Sequence, residues 1–251
     1  MDKMIYTSLN SINNLIKDRF NISQNLANIS VSGYRKDVGQ QKITSFMTEF
    51  DKLSARATTL PVGNAGFSNE IGSIETSGVP TDIAIMNKSF MVGENSSGEI
   101  IFTRRGDLQI SQTGILVNGE GIKILDEKLK PISLPQFDAI KISEIGELQL
   151  DTQQSPPGVF TSFGIIASVD PNNYELAKGL DGAIRNLSTA DVVPDQSGRF
   201  VQGSLEGSNV NSVEEMVASI ENQRQFEINM KLIKSAEEAS RSGATLLKIS
   251  Q

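Results

Sequence analysis

The feature that most constrains this chain is a helical pattern of apolar residues at each of its two ends. Near the N-terminus, apolar side chains recur at spacings of three and four over roughly residues 3–30, which is typical of an amphipathic helix. No proline or glycine occurs there before Gly33, a residue suited to ending a helix. A helix of about 25 residues is about 37 Å long, which is long for the first element of a compact domain. The apolar positions are Ile5, Leu9, Ile12, Leu15, Ile16, Ile22, Leu26 and Ile29.

The second helical pattern occupies the last part of the chain, from Val213 onward, and contains no proline. Asn211 is suited to cap its first turn, and Glu214 follows three residues later as in a capping box. Apolar residues such as Met216 and Ile220 again recur at helical spacing. A helix of about 35 residues would extend about 52 Å.

Between residues 74 and 200 the pattern changes to short apolar runs separated by turn residues. Ile83 and Ile85 alternate with small residues, and Ile140 and Ile142 do the same. Glycine, proline and an Asn-Gly pair interrupt these runs at short intervals, which predicts a β-rich domain. Residues 31–73 are polar and indicate a linker or extended arm.

These patterns together predict an α+β fold class, with long N- and C-terminal helices forming a coiled-coil core domain and a β-rich middle domain. A single amphipathic helix is marginally stable in water, so each terminal helix requires a partner. The other terminal helix is the simplest partner, and copies of the same chain could cover the surface that remains. The predicted domains are residues 1–30 for the N-terminal helix, 31–73 for the linker, 74–200 for the outer domain and 201–251 for the C-terminal helix.

The polar face of the first helix is rich in asparagine, although asparagine is a poor helix former. An amide side chain both donates and accepts hydrogen bonds, so these residues suit a wet and specific interface. An ordinary solvated helix face is the alternative. For Asn25 and Asn28, caps or local hydrogen bonds that serve folding are equally open. The asparagines are Asn10, Asn13, Asn14, Asn21, Asn25 and Asn28.

The composition argues against several classes of function. The chain of 251 residues contains neither cysteine nor histidine, so it lacks disulfides, thiolate metal ligands and the commonest general base. Its formal charge of −7 does not favour nucleic acid as a partner. No apolar run approaches the roughly 18 residues of a membrane span, and the N-terminus lacks the apolar core of a cleaved signal peptide. We expect no cofactor, no metal site, no nucleic acid, no membrane insertion and no small-molecule substrate.

Two alternatives from other classes stay open on residue patterns alone. The β-rich segment contains carboxylates that could form a pair for glycoside hydrolysis, namely Asp82, Asp107, Asp126 and Glu127. A trimeric coiled-coil adhesin would account for the helices, although such a protein normally carries a secretion signal.

Three segments resemble signatures of the flagellar axial protein family, which includes the rod, the hook and the hook–filament junction proteins. Residues 24–35 resemble the N-terminal signature of that family, with mild departures at Gln24 and Ser32. Residues 203–211 are similar to its C-terminal Leu-Glu-x-Ser-Asn segment, and residues 104–108 resemble a strand of its middle domain. Two long matching segments more than 170 residues apart, in the family's order, are a specific signal.

The resemblance implies a structural role without catalysis. It implies a subunit of the bacterial flagellar proximal rod, which polymerises through its terminal helices into the hollow drive shaft of the basal body. A distal-rod subunit is the alternative. The implied partners are other rod proteins, copies of the same chain and the flagellar type III export apparatus. The implied location is the periplasmic rod, which such subunits reach without a cleavable signal peptide.

The resemblance and the helical pattern together predict which residues contact neighbouring subunits. These residues are Leu9, Ile12, Ile16, Asn25, Leu26, Asn28, Leu205, Asn209, Asn211, Met216, Ile220 and Phe226. Phe46 and Phe50 also match an aromatic motif proposed for recognition of early rod and hook subunits by the export gate. Two ordinary core phenylalanines are the alternative.

Overall fold

The computed structural model describes residues 2–39, 41–48, 55–62, 66–152, 156, 159–179, 181–188 and 191–249. The chain divides into two compact units, and each is described by itself. The first unit consists of Met1–Ala27, Asp37–Ala65 and Asn211–Gln251. The second consists of Asn28–Lys36 and Gly66–Val210.

The first unit contains a helix from each end of the chain and a β-hairpin. The strands of this hairpin, Gln41–Thr48 and Ala55–Val62, pair antiparallel, with Gln41 opposite Val62 and Thr48 opposite Ala55. Asn211 caps the C-terminal helix, because its Oδ1 accepts hydrogen bonds from the backbone N–H of Val213 at 3.0 Å and of the following residue at 3.4 Å. The elements are α1 (Asp2–Ala27), β1 (Asp37–Val38), β2 (Gln41–Thr48), β3 (Ala55–Val62) and α2 (Ser212–Ile249).

Polar groups link the two helices. Asn222 Nδ2 donates to the backbone oxygen of Leu15 at 2.9 Å. Arg19 Nη2 donates to Oε1 of Gln223 at 2.8 Å, and the Arg19 guanidinium lies 5.6 Å from the ring centroid of Phe226. The buried residues of α2 are Glu215, Asn222 and Ala236, which are seven and fourteen residues apart and so share one helix face.

The predicted fold class is therefore wrong in its central feature. The described residues contain two helices, one at each end, and a large antiparallel β-rich middle, without an evident coiled-coil core. A coiled-coil seam needs apolar residues at its inward positions, whereas α2 places Glu215 and Asn222 there. The apolar residues that suggested the seam lie on another face of the helix and remain exposed, as described below.

The second unit is built from short strands. They are β4 (Gly66–Phe67), β5 (Ile74–Thr76), β6 (Ile83–Ile85), β7 (Phe90–Glu94), β8 (Ile100–Thr103), β9 (Leu108–Ile110), β10 (Leu116–Asn118), β11 (Lys123–Ile124), β12 (Ala139–Ile142), β13 (Glu147–Asp151), β14 (Thr161–Ile165), β15 (Ser168–Val169), β16 (Leu176–Lys178), β17 (Ile184–Asn186), β18 (Phe200–Gln202) and β19 (Ser204–Glu206), with a 3₁₀ turn at Pro171–Asn173.

Antiparallel pairing organises these strands into one large sheet and several small ones. Among the described residues, the large sheet has the order β16-β17-β8-β7-β11-β10-β9, and β15 also pairs with β7. Strands β12, β13 and β14 form a second sheet, while β18 pairs with β6 and β19 pairs with β5. The last two pairs join segments that are more than 100 residues apart in the sequence.

The core of the second unit lies on both sides of β7. Met91 belongs to one buried cluster together with residues of β6, β12 and β13 such as Ile83 and Leu148. Phe90 and Val92 point the other way and belong to a second cluster. This opposition follows from the two-residue repeat of a strand, and it explains why β7 reads as a continuous apolar run.

No described helix has the length and apolarity that crossing a membrane requires.

Candidate assembly site

The C-terminal helix exposes apolar side chains on the face opposite its buried polar residues. Val213 and Ile220 are 66% and 70% exposed, and Met216 and Val217 are exposed as well. At about 100° per residue, these four positions lie roughly opposite Asn222 around the helix. A cluster of exposed apolar side chains on one helix face is typical of a surface that contacts another molecule.

The N-terminal helix has a similar exposed face. Leu9, Ile16 and Phe20 are seven and four residues apart and share one side of α1. Ile16 is 55% exposed, whereas Ile12 and Leu15, which lie about 60° and about 120° around the helix from Leu9, are buried. Both helices of the first unit thus keep an unburied apolar stripe, which we call the α1 stripe and the α2 stripe.

The predicted interface residues differ in how exposed they are. Leu9, Ile16, Met216 and Ile220 lie on the stripes, and Ile12 is buried. Three others are half-buried on the helices or next to them, namely Leu26, Asn28 and Phe226. Leu205 is half-buried in β19, opposite Glu75 of β5.

The side-chain amides of three predicted asparagines bond within their own unit. The buried Asn25 accepts from the backbone N–H of Asp37 at 2.8 Å and donates to its carbonyl at 3.1 Å. Asn209 accepts from the N–H of Lys36 at 2.6 Å and donates to the carbonyls of Ser68 and Glu70 at 3.1 and 2.8 Å. The third, the N-cap residue of α2, has been described above.

The three segments that resemble family signatures, residues 24–35, 104–108 and 203–211, meet at a buried carboxylate in the second unit. Glu206, from the C-terminal segment, is fully buried. Its Oε1 lies 2.9 Å from Nη2 of Arg35 and accepts a 2.9 Å hydrogen bond from the N–H of Gly72. Its Oε2 accepts from Nε of Arg104 at 2.7 Å and lies 2.6 Å from Nη2 of the same residue. We call Arg35, Arg104 and Glu206 the ion cluster.

Backbone carbonyls complete the surroundings of Arg104. Its Nη2 donates to the carbonyl of Ile85 at 2.7 Å, and its Nη1 donates to the carbonyls of Asn87 and Ser89. The guanidinium also lies 5.8 Å from the ring centroid of Phe90. A guanidinium carries five N–H donors, and the arrangement around Arg104 supplies an acceptor or ion-pair partner for each.

Arg35 is less completely satisfied than Arg104. Its Nη1 donates to the carbonyl of Glu70, whereas its Nε has no hydrogen-bond partner among the described residues. Burial, together with repulsion from Arg104, lowers the pKa of Arg35 to about 10. Burial lowers the pKa of Arg104 too. An arginine side chain stays protonated in proteins at neutral pH, so the cluster pairs two cations with one carboxylate.

Two glycines allow backbone segments to approach the ion cluster closely. Gly33 has a φ of +69°, and a Cβ there would lie 2.5 Å from the backbone of Arg104. A Cβ on Gly72 would lie 2.2 Å from the backbone oxygen of Gly207. Only glycine fits such positions without displacing backbone. Gly33 and Arg35 of the N-terminal segment are thus explained by packing against Arg104 and pairing with Glu206.

Sequence reasoning did not select Arg35, Arg104 and Glu206 as site residues, although each lies inside a segment that resembles a family signature. A usable signal was present, because each of the three charged residues lies within two positions of a glycine inside its segment. The sequence could not show that residues 35, 104 and 206 meet in one place. Only the pairing of β19 with β5, and of β18 with β6, brings those parts of the chain together.

Two of the four carboxylates considered for glycoside hydrolysis, those of Asp107 and Asp126, are engaged in local structure. Asp107 pairs with Arg105 at 2.8 Å, and the backbone of Asp82 forms a β-bridge with that of Asp107. Asp126 Oδ1 accepts two backbone hydrogen bonds of 2.8 Å, from Lys128 and Lys130. Among the described residues, no group of three acidic side chains is arranged to hold a metal ion.

Phe46 belongs to β2, and Phe50 lies outside the described residues.

Two family profiles match separate parts of the chain. The family described as "Flagellar basal body rod FlgEFG protein C-terminal" matches residues 201–246. The family described as "Flagellar hook protein FlgE/F/G D1 domain" matches residues 84–150. The first match includes Glu206 and the second includes Arg104.

Full-length relatives carry corresponding names. The chain is 29% identical over 257 residues to the flagellar basal-body rod protein FlgF of Salmonella typhimurium, and 27% identical over 256 residues to that of Escherichia coli, with 100% of each chain covered. It is 29% identical to the flagellar basal-body rod protein FlgG of Buchnera aphidicola, over 86% of this chain and 89% of the relative. In these matches, the chain is similar to flagellar basal-body rod and hook proteins over its whole length, and the matched regions include two residues of the ion cluster.

Proposed function

We propose that this chain is a structural subunit of the flagellar basal-body rod and polymerises through the α1 stripe and the α2 stripe. The observation that carries the proposal is the exposure of apolar side chains on both terminal helices. Burying such surface supplies about 25 cal/mol per Å² of apolar area, less the cost of ordering the groups involved. The chain is not an enzyme: its function is assembly, and its chemistry is burial and hydrogen bonding between subunits.

Within the rod, we assign the chain to the proximal part. The relatives named FlgF from Salmonella typhimurium and Escherichia coli align over the whole chain, whereas the FlgG relative from Buchnera aphidicola aligns over 86% of it. These coverages favour a FlgF-type subunit over the distal-rod alternative. The proposed neighbours are copies of the same chain and other rod proteins.

Export and location extend this proposal. The subunit would pass through the flagellar type III export apparatus without a cleavable signal peptide and join the rod in the periplasm. The aromatic motif at Phe46 and Phe50 stays a prediction. Replacing both phenylalanines with alanine would reduce secretion of the subunit if the export gate reads them, and would leave secretion unchanged if it does not.

The assembly proposal is tested by a charge on the α2 stripe. Because Ile220 is exposed in the isolated chain, Ile220→Asp should change the free energy of unfolding by less than about 0.5 kcal/mol. In a subunit interface the same aspartate would be buried without a partner, which is strongly unfavourable. We expect loss of motility and loss of the subunit from purified basal bodies.

The matched control is Gln225→Asp, which adds the same charge at an exposed polar position of α2. This variant should stay motile and should be incorporated. Normal motility and normal incorporation of Ile220→Asp would contradict the proposal. An unfolding measurement on both purified variants shows whether any defect arises from misfolding instead.

A further inference from the structure

We propose that the ion cluster fixes the register of two paired strands rather than adding net stability. Arg35, Arg104 and Glu206 determine which residues of β19 and β5 pair, and they fix the path of residues 28–36. The proposal rests on the geometry of the second unit and does not depend on the proposed rod function. It assigns a positioning role to three residues that lie in three separate segments of the chain.

Stability alone does not account for a cluster of this composition. Removing charges from water is costly, and apolar residues of similar volume often replace a buried ion pair or triad without loss of stability. Here two like charges share one carboxylate, and Nε of Arg35 lacks a hydrogen-bond partner among the described residues. Directional hydrogen bonds, in contrast to apolar contacts, are satisfied in only one alignment of the chain segments.

The pairing that the cluster would fix involves two short strands, and β5 contributes no apolar face to it. Strands β5 and β19 are three residues long, with Glu206 opposite Ile74. All three residues of β5 are exposed, so no apolar face determines which residues of β5 and β19 pair. A slip of β19 by one residue would turn Glu206 away from both arginines and place Leu205 or Gly207 at the cluster.

The same carboxylate connects the segments on either side of this strand pair. Its Oε1 holds the N–H of Gly72, and the backbone carbonyl of Glu206 accepts a 2.7 Å hydrogen bond from the N–H of Gly33. Arg35 in turn donates to the carbonyl of Glu70. One residue therefore aligns the segment that follows α1 in the sequence, the segment before β5 and the strand that precedes α2.

The test separates register from stability with two variants of the full chain. Glu206→Gln removes the anion and leaves two buried cations unpaired, so the melting temperature should fall by roughly 6–20 °C. The triple variant R35M/R104M/E206L replaces the cluster with apolar side chains. It should recover a melting temperature within about 5 °C of the parent, because the desolvation cost is removed along with the attraction.

The decisive measurement is amide hydrogen exchange in the triple variant. The N–H of Gly207 bonds to the carbonyl of Ser73, and the N–H of Ser77 bonds to the carbonyl of Gly203, so both amides report the register of β5 and β19. Their exchange should be at least about tenfold faster than in the parent. Exchange in β7, within the core, should be unchanged. Parent-like protection of Gly207 and Ser77 in the triple variant would overturn the proposal.

A milder variant covers the case in which the triple variant does not fold. Arg35→Lys keeps the charge but loses the planar fork that reaches both Glu206 and Glu70. It should stay folded and show about tenfold faster exchange at the amide of Gly33. Unchanged protection there would contradict the proposal. Arg105→Lys, whose side chain is partly exposed, is the matched control and should leave these amides protected.

Discussion

Glu206 shows how one side chain determines the chemistry around it. It is fully buried, and its two carboxylate oxygens together face two guanidiniums and a backbone N–H. A buried carboxylate is stable only when its lone pairs are occupied in this way. The approach of backbone to the cluster then requires glycine where the chain passes closest, as at Gly33.

Replacing Gly33 with alanine should lower the free energy of unfolding. Gly33→Ala would add a Cβ at 2.5 Å from the backbone of Arg104 at a residue with φ of +69°. We expect it to lower the free energy of unfolding by about 2–4 kcal/mol in urea denaturation. Gly182→Ala is the control, since its φ is +82° and its Cβ would meet nothing within 4 Å. It should cost about 1–2 kcal/mol from φ alone, and equal effects would show that the close approach is unimportant.

At the scale of elements, α2 buries polar residues and exposes apolar ones. Glu215 and Asn222 lie on its buried face, while Val213 and Ile220 are exposed. In a monomer that completes its own core, the hydrophobic effect would favour the opposite arrangement. The arrangement is reasonable for a helix whose apolar face is covered by another molecule, which is the role proposed above.

Asn222 offers a test of that arrangement. Its Oδ1 is buried and has no hydrogen-bond partner among the described residues, and its Nδ2 donates to a carbonyl of α1. Replacing it with leucine of similar volume removes the unsatisfied group, so Asn222→Leu should raise the free energy of unfolding of the isolated chain by about 1 kcal/mol. Gln225→Leu, at an exposed position, should change it by less than about 0.5 kcal/mol. A clear loss of stability in Asn222→Leu would show that the polar contact itself is required.

At the scale of the whole molecule, the second unit contains both buried clusters and the complete ion cluster within residues 28–36 and 66–210. A unit with its own core is expected to fold independently. The helices belong to the other unit, whose described buried apolar residues are Ile12, Leu15 and Ala236.

We therefore expect a fragment of residues 28–210 to fold without the helices. Circular dichroism should show a β-type spectrum and a single cooperative thermal transition. Glu206→Gln should destabilise the fragment and the full chain equally, within about 0.5 kcal/mol, because the cluster has no partner in the deleted segments. A fragment without cooperative unfolding would show that the terminal segments are needed for folding of the β-rich unit.

The sequence by itself determined the positions of the two helices, the β-rich character of the middle and the likeness to flagellar rod and hook proteins. The three- and four-residue spacing near Leu9 and Ile220, and the alternation at Ile140 and Ile142, are local properties that neighbouring residues enforce. The likeness to flagellar rod and hook proteins is visible for the same reason, since the residues of each motif segment are contiguous.

Only the tertiary structure decided which helix faces are buried and where the charged motif residues lie. The apolar stripe of α2 predicted a coiled-coil core, but periodicity does not distinguish a face that covers the same chain from one left for another molecule. The meeting of Arg35, Arg104 and Glu206 depends on strand pairs that join segments more than 100 residues apart. Such pairing is determined by the packing of the whole β-rich unit, and no local stretch of sequence contains it.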